Sequence, residues 1–263
     1  MFELYVHRRS WLHAADARVK LILTLVLIIF LNLTSYRAWP GFILFLTATL
    51  SVAVLSRLGV GFVLKRALLA APFVLAAVPL IFTGPPPVQN LTLGPALHIS
   101  YSPDGLARFA GIAVKSWISV QAAILLAAAT RFPDLMVALQ ELKVPKIFVA
   151  IISLMWRYLF VIGEEVNRML RARSSRSASL PGQRNPGGTL AWRARVTGGM
   201  AGSLFLRSIE RSDRVYAAML SRGYNGELHE SEVSQLAADD RKLLWVGLVT
   251  LAGLFVIGLF SGG

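Results

Sequence analysis

The 263-residue chain contains no cysteine and few acidic residues. The lack of cysteine excludes disulfides, thiolate metal sites and a cysteine nucleophile. There are 14 Asp and Glu residues against 27 Lys and Arg residues, which gives a formal net charge of +13. In a soluble protein this charge would suggest a nucleic-acid partner. However, 55% of the residues are hydrophobic, and membrane proteins concentrate Lys and Arg in their cytoplasmic loops. We therefore expect a lipid bilayer, and not nucleic acid, as the partner of this charge.

The sequence also lacks the residue groups that carry catalysis or bind cofactors. The four histidines lie in separate segments without helical spacing, so we expect no metal site built from them; they are His7, His13, His98 and His229. No glycine-rich loop carries a Walker lysine, so the chain is not expected to hydrolyse ATP. The pair Glu164-Glu165 is a candidate for acid–base chemistry, but it is more simply a solvated helix face. We expect no catalytic residue, metal ligand or cofactor in this chain.

Apolar runs recur along the chain, each close to the roughly 20 residues that an α-helix needs to cross a bilayer. We predict an all-α integral membrane protein with about five transmembrane helices. The predicted spans are approximately 19–34, 41–56, 67–82, 109–130 and 243–260. Pro72 and Pro79 are expected to kink the third span, and a loop from Gly84 to Asp104 follows it.

The apolar run Ile147–Ile162 is long enough to resemble a further span, but the distribution of charge argues against it. A cytoplasmic N-terminus places most basic loops in the cytoplasm, in agreement with the positive-inside rule. If Ile147–Ile162 crossed the membrane, the arginine-rich segment after it would be exported against the same rule. We therefore predict that this run lies along the membrane or against another protein. This topology predicts a multi-pass plasma-membrane protein with its N-terminus in the cytoplasm and its C-terminus outside.

This topology divides the chain into three segments. Residues 1–130 hold transmembrane helices 1–4, residues 131–242 form a cytoplasmic module of long helices, and residues 243–263 hold the last transmembrane helix. Within the module, helical patterns are expected from about Leu190 to Ser221, with a break at Gly198-Gly199. Lys115 lies inside the fourth predicted span. An intramembrane charge indicates a functional site by default, whereas a lysine near a helix end also reaches the interface without further function; both interpretations stay open.

Two similar short sequences occur in the polar segment between the last two apolar runs. Met169–Ser174 contains the triplet Ala172-Arg173-Ser174, and Ala218–Gly223 contains Ser221-Arg222-Gly223. Each arginine continues an apolar stripe at the expected C-terminal end of a helix. The two stripes are Ile162, Val166, Met169 in the first helix and Phe205, Ile209, Tyr216, Met219 in the second.

A guanidinium group at such a position can bind carboxylates or carbonyls of a partner in a bidentate manner. The small residues beside it allow another surface to approach closely. One triplet alone would be interpreted as an arginine that caps its own helix. Because two copies occur in one segment, we interpret them as two docking points for a partner with two-fold character.

This pattern resembles the T component, the transmembrane coupling subunit, of energy-coupling-factor importers, which are ABC-type uptake systems for vitamins and transition metals. The resemblance covers nearly the whole chain. The family signature is two Ala-Arg-Gly-like triplets, and here Ser replaces Gly in the first and Ala in the second. The run Glu210–Gly226 is most similar to the cobalt and nickel branch, and the run Asp16–Lys20 before the first span is also similar to the family.

The resemblance implies a non-catalytic subunit that transmits ATP-driven motion from two ATPase subunits to a small substrate-binding membrane subunit. In that arrangement the partner subunits bind ATP and the metal, and the long helices of residues 131–242 are coupling helices. The implied ATPase-docking residues are Ala172, Arg173, Ser174, Ser221, Arg222 and Gly223. Two alternatives remain, namely the coupling subunit of a vitamin importer and an integral membrane enzyme with a lipid or prenyl substrate.

Overall fold

A computed structural model describes residues 5, 6, 8, 10–68, 71–82, 89–92, 98–176, 189–225 and 236–262. The chain folds into two compact units. The first consists of Met1–Leu142 and Val233–Gly263, and the second of Lys143–Glu232. The described part of each unit is almost entirely helical, which confirms the predicted all-α class. The predicted division at residues 130 and 242 concerns placement in the membrane, and it stays a prediction.

The bounds of the elements follow the chain. The first unit contains α1 (Trp11–Ala14), α2 (Ala17–Leu33), α3 (Trp39–Leu55), α4 (Val60–Ala67), α5 (Ala71–Ala76), a 3₁₀ helix (Val78–Ile81), β1 (Gln89–Thr92), β2 (His98–Tyr101), α6 (Pro103–Ala129), α7 (Phe132–Glu141) and α10 (Ala238–Gly262). The second unit contains α8 (Lys146–Arg176) and α9 (Leu190–Ser221). Strands β1 and β2 form an antiparallel hairpin in which Gln89 pairs with Tyr101. The sequence indicated only a loop there, and its Gly84–Pro87 run lies outside the described residues.

Four of the predicted spans correspond to single helices, namely α2, α3, α6 and α10. The third predicted span is not one kinked helix, because α4 ends at Ala67 and two shorter segments, α5 and the 3₁₀ helix, follow it. Pro72 and Pro79 each occupy the second position of one of these segments. Proline is favoured in the first turn of a helix, where its missing N–H has no partner to lose. The two prolines therefore begin new segments here.

Three described helices are long and apolar enough to cross a membrane, and they are Pro103–Ala129, Lys146–Arg176 and Ala238–Ser261. The shorter helix Trp39–Leu55 is also apolar. Since Lys146–Arg176 meets the same criterion of length and composition, these two properties do not separate it from the predicted spans. Only the charge distribution argues that it does not cross, and that conclusion stays a prediction.

The core of the first unit lies between α2, α3, α6 and α10. Its buried residues are Leu31, Phe42, Phe45, Ile118 and Leu251. Two glycines let α3 and α10 approach closely, since a Cβ built on Gly41 would lie 3.0 Å from the Cα of Gly258. Small residues at such contacts are typical of transmembrane helices, where close backbone packing contributes much of the association energy.

One end of this core carries a network of charged side chains. The Asp16 carboxylate caps the start of α2, and the backbone N–H of Asp16 donates to Asp240 Oδ1 at 3.2 Å. Arg18 forms an ion pair with Glu141 of α7. The buried Lys20 ammonium donates to a carbonyl oxygen at the end of α6. The network connects α2 to α6, α7 and α10, so the charged run before the first span positions the helices.

Lys115 has a structural role in this unit. Its ammonium group donates to the carbonyl oxygen of Thr34 at 2.6 Å and to that of Asn32 at 3.0 Å. Both carbonyls belong to the C-terminal end of α2, where backbone acceptors lack partners within the helix. A cation is also favourable at a helix C-terminus. Lys115 therefore holds α6 against the end of α2, which explains a charge within the fourth predicted span.

We expect Lys115→Met to lower the stability of the detergent-purified protein by about 1–2 kcal/mol, because two charge-assisted hydrogen bonds are lost. Thermal unfolding followed by circular dichroism measures this change. Lys115→Arg retains donors and is the control, with a smaller expected decrease in Tm. An unchanged Tm in Lys115→Met would contradict this structural role.

Candidate docking site

Helices α8 and α9 form an antiparallel pair in the second unit. The Glu165 carboxylate accepts a hydrogen bond from Arg211 at 2.6 Å and lies 3.5 Å from Arg207. Further along α8, Arg173 Nη1 donates to Thr197 Oγ1 at 3.2 Å. Later residues of α8 thus meet earlier residues of α9, which defines the antiparallel direction. We call this pair the α8–α9 hairpin. The predicted loop between its helices lies mostly outside the described residues.

The interpretation of Glu164-Glu165 as a solvated face is wrong for Glu165, whose side chain is only 13% exposed. Glu164 is exposed. Glu165 belongs to the polar half of α8, beyond the apolar run that ends at Ile162. Burial of this carboxyl raises its pKa, but the hydrogen bonds and charges of Arg211 and Arg207 outweigh that effect, so its pKa lies below the usual 4.5. The carboxylate is ionised at neutral pH and joins the two helices.

We expect Glu165→Gln to loosen the α8–α9 hairpin at neutral pH, with a lower Tm and faster tryptic cleavage at the arginines of α9. Glu164→Gln removes the same charge from an exposed neighbour and should leave both properties unchanged. Because the pKa of Glu165 is lower in the folded state than its usual 4.5, the ionised carboxylate stabilises the fold at pH values above 4.5. This stabilisation is lost as the pH falls through the lowered pKa of the folded state. The difference between wild type and Glu165→Gln should therefore disappear in acid, and a difference independent of pH would contradict the ion pair.

Helix α9 is continuous through Gly198-Gly199, so the predicted break there is wrong. Two adjacent glycines reduce helix propensity by only about 1 kcal/mol each, and the 32-residue helix has other support. Thr189 caps its N-terminus by accepting a hydrogen bond from the backbone N–H of Trp192 at 3.3 Å. Contacts with α8 stabilise the helix on both sides of the glycines. The predicted limits, Leu190 and Ser221, agree with the structure.

The first triplet lies in the last described turn of α8. Ala172 and Ser174 are exposed and Arg173 is half-buried. The Ser174 hydroxyl donates to the carbonyl oxygen of Arg171 at 2.7 Å, so it is bonded within its own helix. Arg173 differs because it reaches across the hairpin to Thr197. The small neighbours leave the surface beside Arg173 open to a partner.

The second triplet forms the C-terminal end of α9. Gly223 has a φ of +82°, and its N–H donates to the carbonyl oxygen of Leu220 at 3.0 Å. The N–H of Tyr224 donates to the carbonyl oxygen of Met219 at 3.0 Å. This pair of bonds is the Schellman motif, in which glycine avoids the strain of a left-handed backbone. Gly223 therefore has a local structural function, and Arg222 is presented, exposed, at the helix end.

The structure does not bring the two arginines together. Thr197, the partner of Arg173, is separated from Arg222 by roughly 37 Å along α9 at 1.5 Å per residue. The two triplets therefore lie near opposite ends of the hairpin. This separation was not evident from the sequence, which indicated only two helix ends.

The two apolar stripes face different surroundings. The first, on α8, is half-buried along its length from Ile162 to Met169. In the second, Phe205 is 65% exposed and Tyr216 57% exposed, and Ile209 is also exposed. The α9 residues that line the depressions on the side of α8 are Trp192, Val196, Met200, Arg207, Ser208, Arg211, Ser212, Val215, Tyr216 and Met219. Phe205 and Ile209 thus form an outer apolar surface of α9, whereas Tyr216 and Met219 of the same stripe line the depression on the side of α8.

Among the described residues, no group of three or more His, Asp or Glu side chains is arranged to hold a metal ion. The ring of His13 contacts Ser10 Oγ at 2.7 Å and the carbonyl oxygen of Val6 at 3.0 Å. His13 therefore holds the segment before α2. His7 and His229 lie outside the described residues.

A family model described as cobalt transport protein CbiQ matches residues 8–234. The chain belongs to the CbiQ cobalt transport protein family. It is also similar to the energy-coupling factor transporter transmembrane protein EcfT of Ruminiclostridium cellulolyticum, at 26% identity over 96% of this chain and 94% of the relative. EcfT of Brevibacillus brevis is 27% identical over 97% and 95%. Cobalt transport protein CbiQ of Rhodobacter capsulatus is 28% identical over 62% of this chain and 68% of the relative.

These relatives confirm the resemblance inferred from the triplets. Two are named as transmembrane proteins of energy-coupling factor transporters and one as a cobalt transport protein. The CbiQ family match includes both triplets, all of α8 and all of α9. The protein is therefore a membrane component of the transporter class, and these three relatives are named as transport proteins.

Proposed function

We propose that this chain couples two ATPase subunits to a small substrate-binding membrane subunit in an energy-coupling-factor importer. The observation that carries the proposal is the placement of two small-Arg-small triplets near opposite ends of one antiparallel hairpin. Arg173 and Arg222 dock into the two ATPases, one each. The ATPases bind ATP, and this chain holds no cofactor.

The hairpin is suited to transmitting force between the two docking points. Helix α9 contains 32 residues without a break, and the ion pairs of Glu165 with Arg207 and Arg211 join it to α8. When ATP binding closes the ATPases, a displacement at Arg173 or Arg222 moves both helices together. A bidentate arginine–carboxylate bond at each end resists that displacement.

The outer apolar surface of α9 is proposed to receive the substrate-binding subunit. Phe205 and Ile209 are exposed on this surface, and a Cβ at Gly198 or Gly202 would have no atom within 4 Å. Small residues permit a transmembrane helix of the partner to approach closely. The large apolar residues beside them provide apolar surface, and burial of that surface would stabilise the complex.

Cobalt, with nickel as the alternative, is the proposed cargo. Support comes from the CbiQ family description and the Rhodobacter capsulatus relative. The EcfT relatives support the same coupling role without a named substrate, so a vitamin importer remains the second candidate. The metal would be bound by the separate substrate-binding subunit. The proposed location is the plasma membrane, with the N-terminus in the cytoplasm and the C-terminus outside.

The test is affinity purification of the tagged full-length chain from membranes of its native host in mild detergent, with identification of the co-purified chains. ATPase subunits and a small membrane protein that binds cobalt or nickel would support the whole proposal. A vitamin-binding membrane partner would support coupling and exclude the metal as cargo. Recovery of this chain without any ATPase would contradict the coupling role and would favour the alternative of an integral membrane enzyme.

A further inference from the structure

Two adjoining depressions run along the α8–α9 hairpin. The first, which we call the cationic cleft, has a volume of about 710 Å³ and is lined by five arginines and one glutamate. The second, which we call the apolar groove, has a volume of about 420 Å³ and is lined by residues that include Leu154, Met155 and Val215. Arg211 lines both. The hairpin thus has one elongated surface with a cationic end and an apolar end.

Two arginines of the cationic cleft have no ion-pair partner among the residues that the structure describes. Glu165 already pairs with Arg207 and Arg211. Arg168 and Arg176 also line the cleft, and within the described ranges of α8 and α9 neither has an ion-pair partner. Their unpaired guanidinium groups favour an anionic occupant, with phosphate oxygens or carboxylates as acceptors. Met169 and Trp192 line the same cleft and add apolar side chains to it.

The apolar groove begins about one helical turn from the cleft, on the part of α8 that is long and apolar enough to cross a membrane. Beside the groove, Phe148, Ile151 and Met155 are each more than half exposed. Such a surface is unstable in water and needs a lipid chain or another protein against it. An occupant that fits both depressions must carry a negative group at one end and an apolar chain at the other.

We propose that the α8–α9 hairpin binds an anionic phospholipid, with the phosphate in the cationic cleft and an acyl chain in the apolar groove. The bilayer is a permanent neighbour of a transmembrane protein, and basic pockets on the cytoplasmic side of such proteins bind anionic headgroups. The charge of the cleft and the continuity of the groove through Arg211 both match this molecule. The lipid site does not depend on the proposed ATPase docking.

The test is native mass spectrometry of the purified full-length protein titrated with short-chain phosphatidylglycerol. The variant Arg168→Gln/Arg176→Gln removes two cleft charges that have no partner in the described part of the chain, so the hairpin should remain folded. We expect its affinity for phosphatidylglycerol to fall about tenfold or more, since each charge-assisted bond is strong. Arg195→Gln/Arg214→Gln removes the same charge from exposed positions of α9 outside both depressions, and its affinity should change less than twofold.

Two further ligands distinguish the contribution of the charged headgroup to the affinity from that of the acyl chain. Phosphatidylcholine with the same chains should bind at least about tenfold more weakly than phosphatidylglycerol, and glycerol phosphate without chains should not compete with it. Equal binding of the two lipids would show that the cleft does not select charge, and binding of glycerol phosphate as tightly as phosphatidylglycerol would show that the groove is not used. Either result overturns the proposal. Loss of a co-purified subunit from Arg168→Gln/Arg176→Gln, with lipid binding intact, would assign the cleft to a protein partner.

Discussion

Replacing both Arg173 and Arg222 with alanine is expected to abolish co-purification of the ATPase subunits and metal uptake, while the protein still inserts into the membrane. Truncating one partner of a buried, hydrogen-bonded charge pair weakens association by roughly 2–5 kcal/mol. The two arginines lie near opposite ends of the hairpin, so each single variant should lose one docking point and show an intermediate defect. Uptake of radioactive cobalt by cells and quantification of co-purified ATPase measure the two effects.

The control for this prediction is Arg195→Ala/Arg214→Ala. It removes the same charge from two exposed positions of α9, neither of which belongs to a triplet. Uptake and ATPase recovery should be close to wild type in this control. Normal uptake in Arg173→Ala/Arg222→Ala would refute the docking assignment, and an equal loss in the control would show that only the overall charge of the hairpin matters.

The largest expected effect on stability comes from Gly41→Leu. A Cβ at Gly41 lies 3.0 Å from the Cα of Gly258 and 3.7 Å from Thr34 Cγ2, so a leucine side chain has no space unless α3 and α10 separate. Forcing extra atoms into a packed interior costs typically 1–3 kcal/mol and sometimes more, and the displaced contact here is backbone. We expect a large decrease in the Tm of the detergent-purified protein and reduced amounts in the membrane.

Gly253→Leu is the matched control, because Gly253 lies on α10, the same helix that Gly41 contacts. A Cβ at Gly253 meets no atom within 4 Å. This substitution should leave the Tm nearly unchanged. If Gly41→Leu and Gly253→Leu behaved alike, the close contact of α3 with α10 would not be a determinant of stability.

The proposed lipid site and the two proposed docking arginines lie on the same α8–α9 hairpin. Arg173 lines the cationic cleft, whereas Arg222 lies at the far end of the apolar groove, between its lining residues Met219 and Tyr224. The phosphate of an anionic lipid held by Arg168 and Arg176 would therefore lie next to Arg173, and its acyl chain would extend in the groove toward Arg222. The two sets of arginine variants test these functions separately, because they share no residue.

Features that depend on local sequence were predictable. Composition and apolar run length determined the membrane class, and both triplets and the limits of α9 followed from helical spacing and capping residues. The third predicted span was wrong as a single kinked helix because the sequence pattern alone does not show whether a proline kinks a long helix or separates two shorter ones. The Gly198-Gly199 break was wrong for a related reason, since propensity is a weak preference that tertiary contacts override.

Features that depend on contacts distant in sequence were decided by the tertiary structure alone. Glu165 lies 46 positions from Arg211, and no spacing rule connects them. Lys115 reaches carbonyls at the end of α2, 81 and 83 positions away. The outward direction of Phe205 and Ile209 required the position of α8. A sequence shows which faces of a helix are apolar or charged, but only the packed chain determines which face each neighbour covers, since that depends on the free energy of all the contacts together.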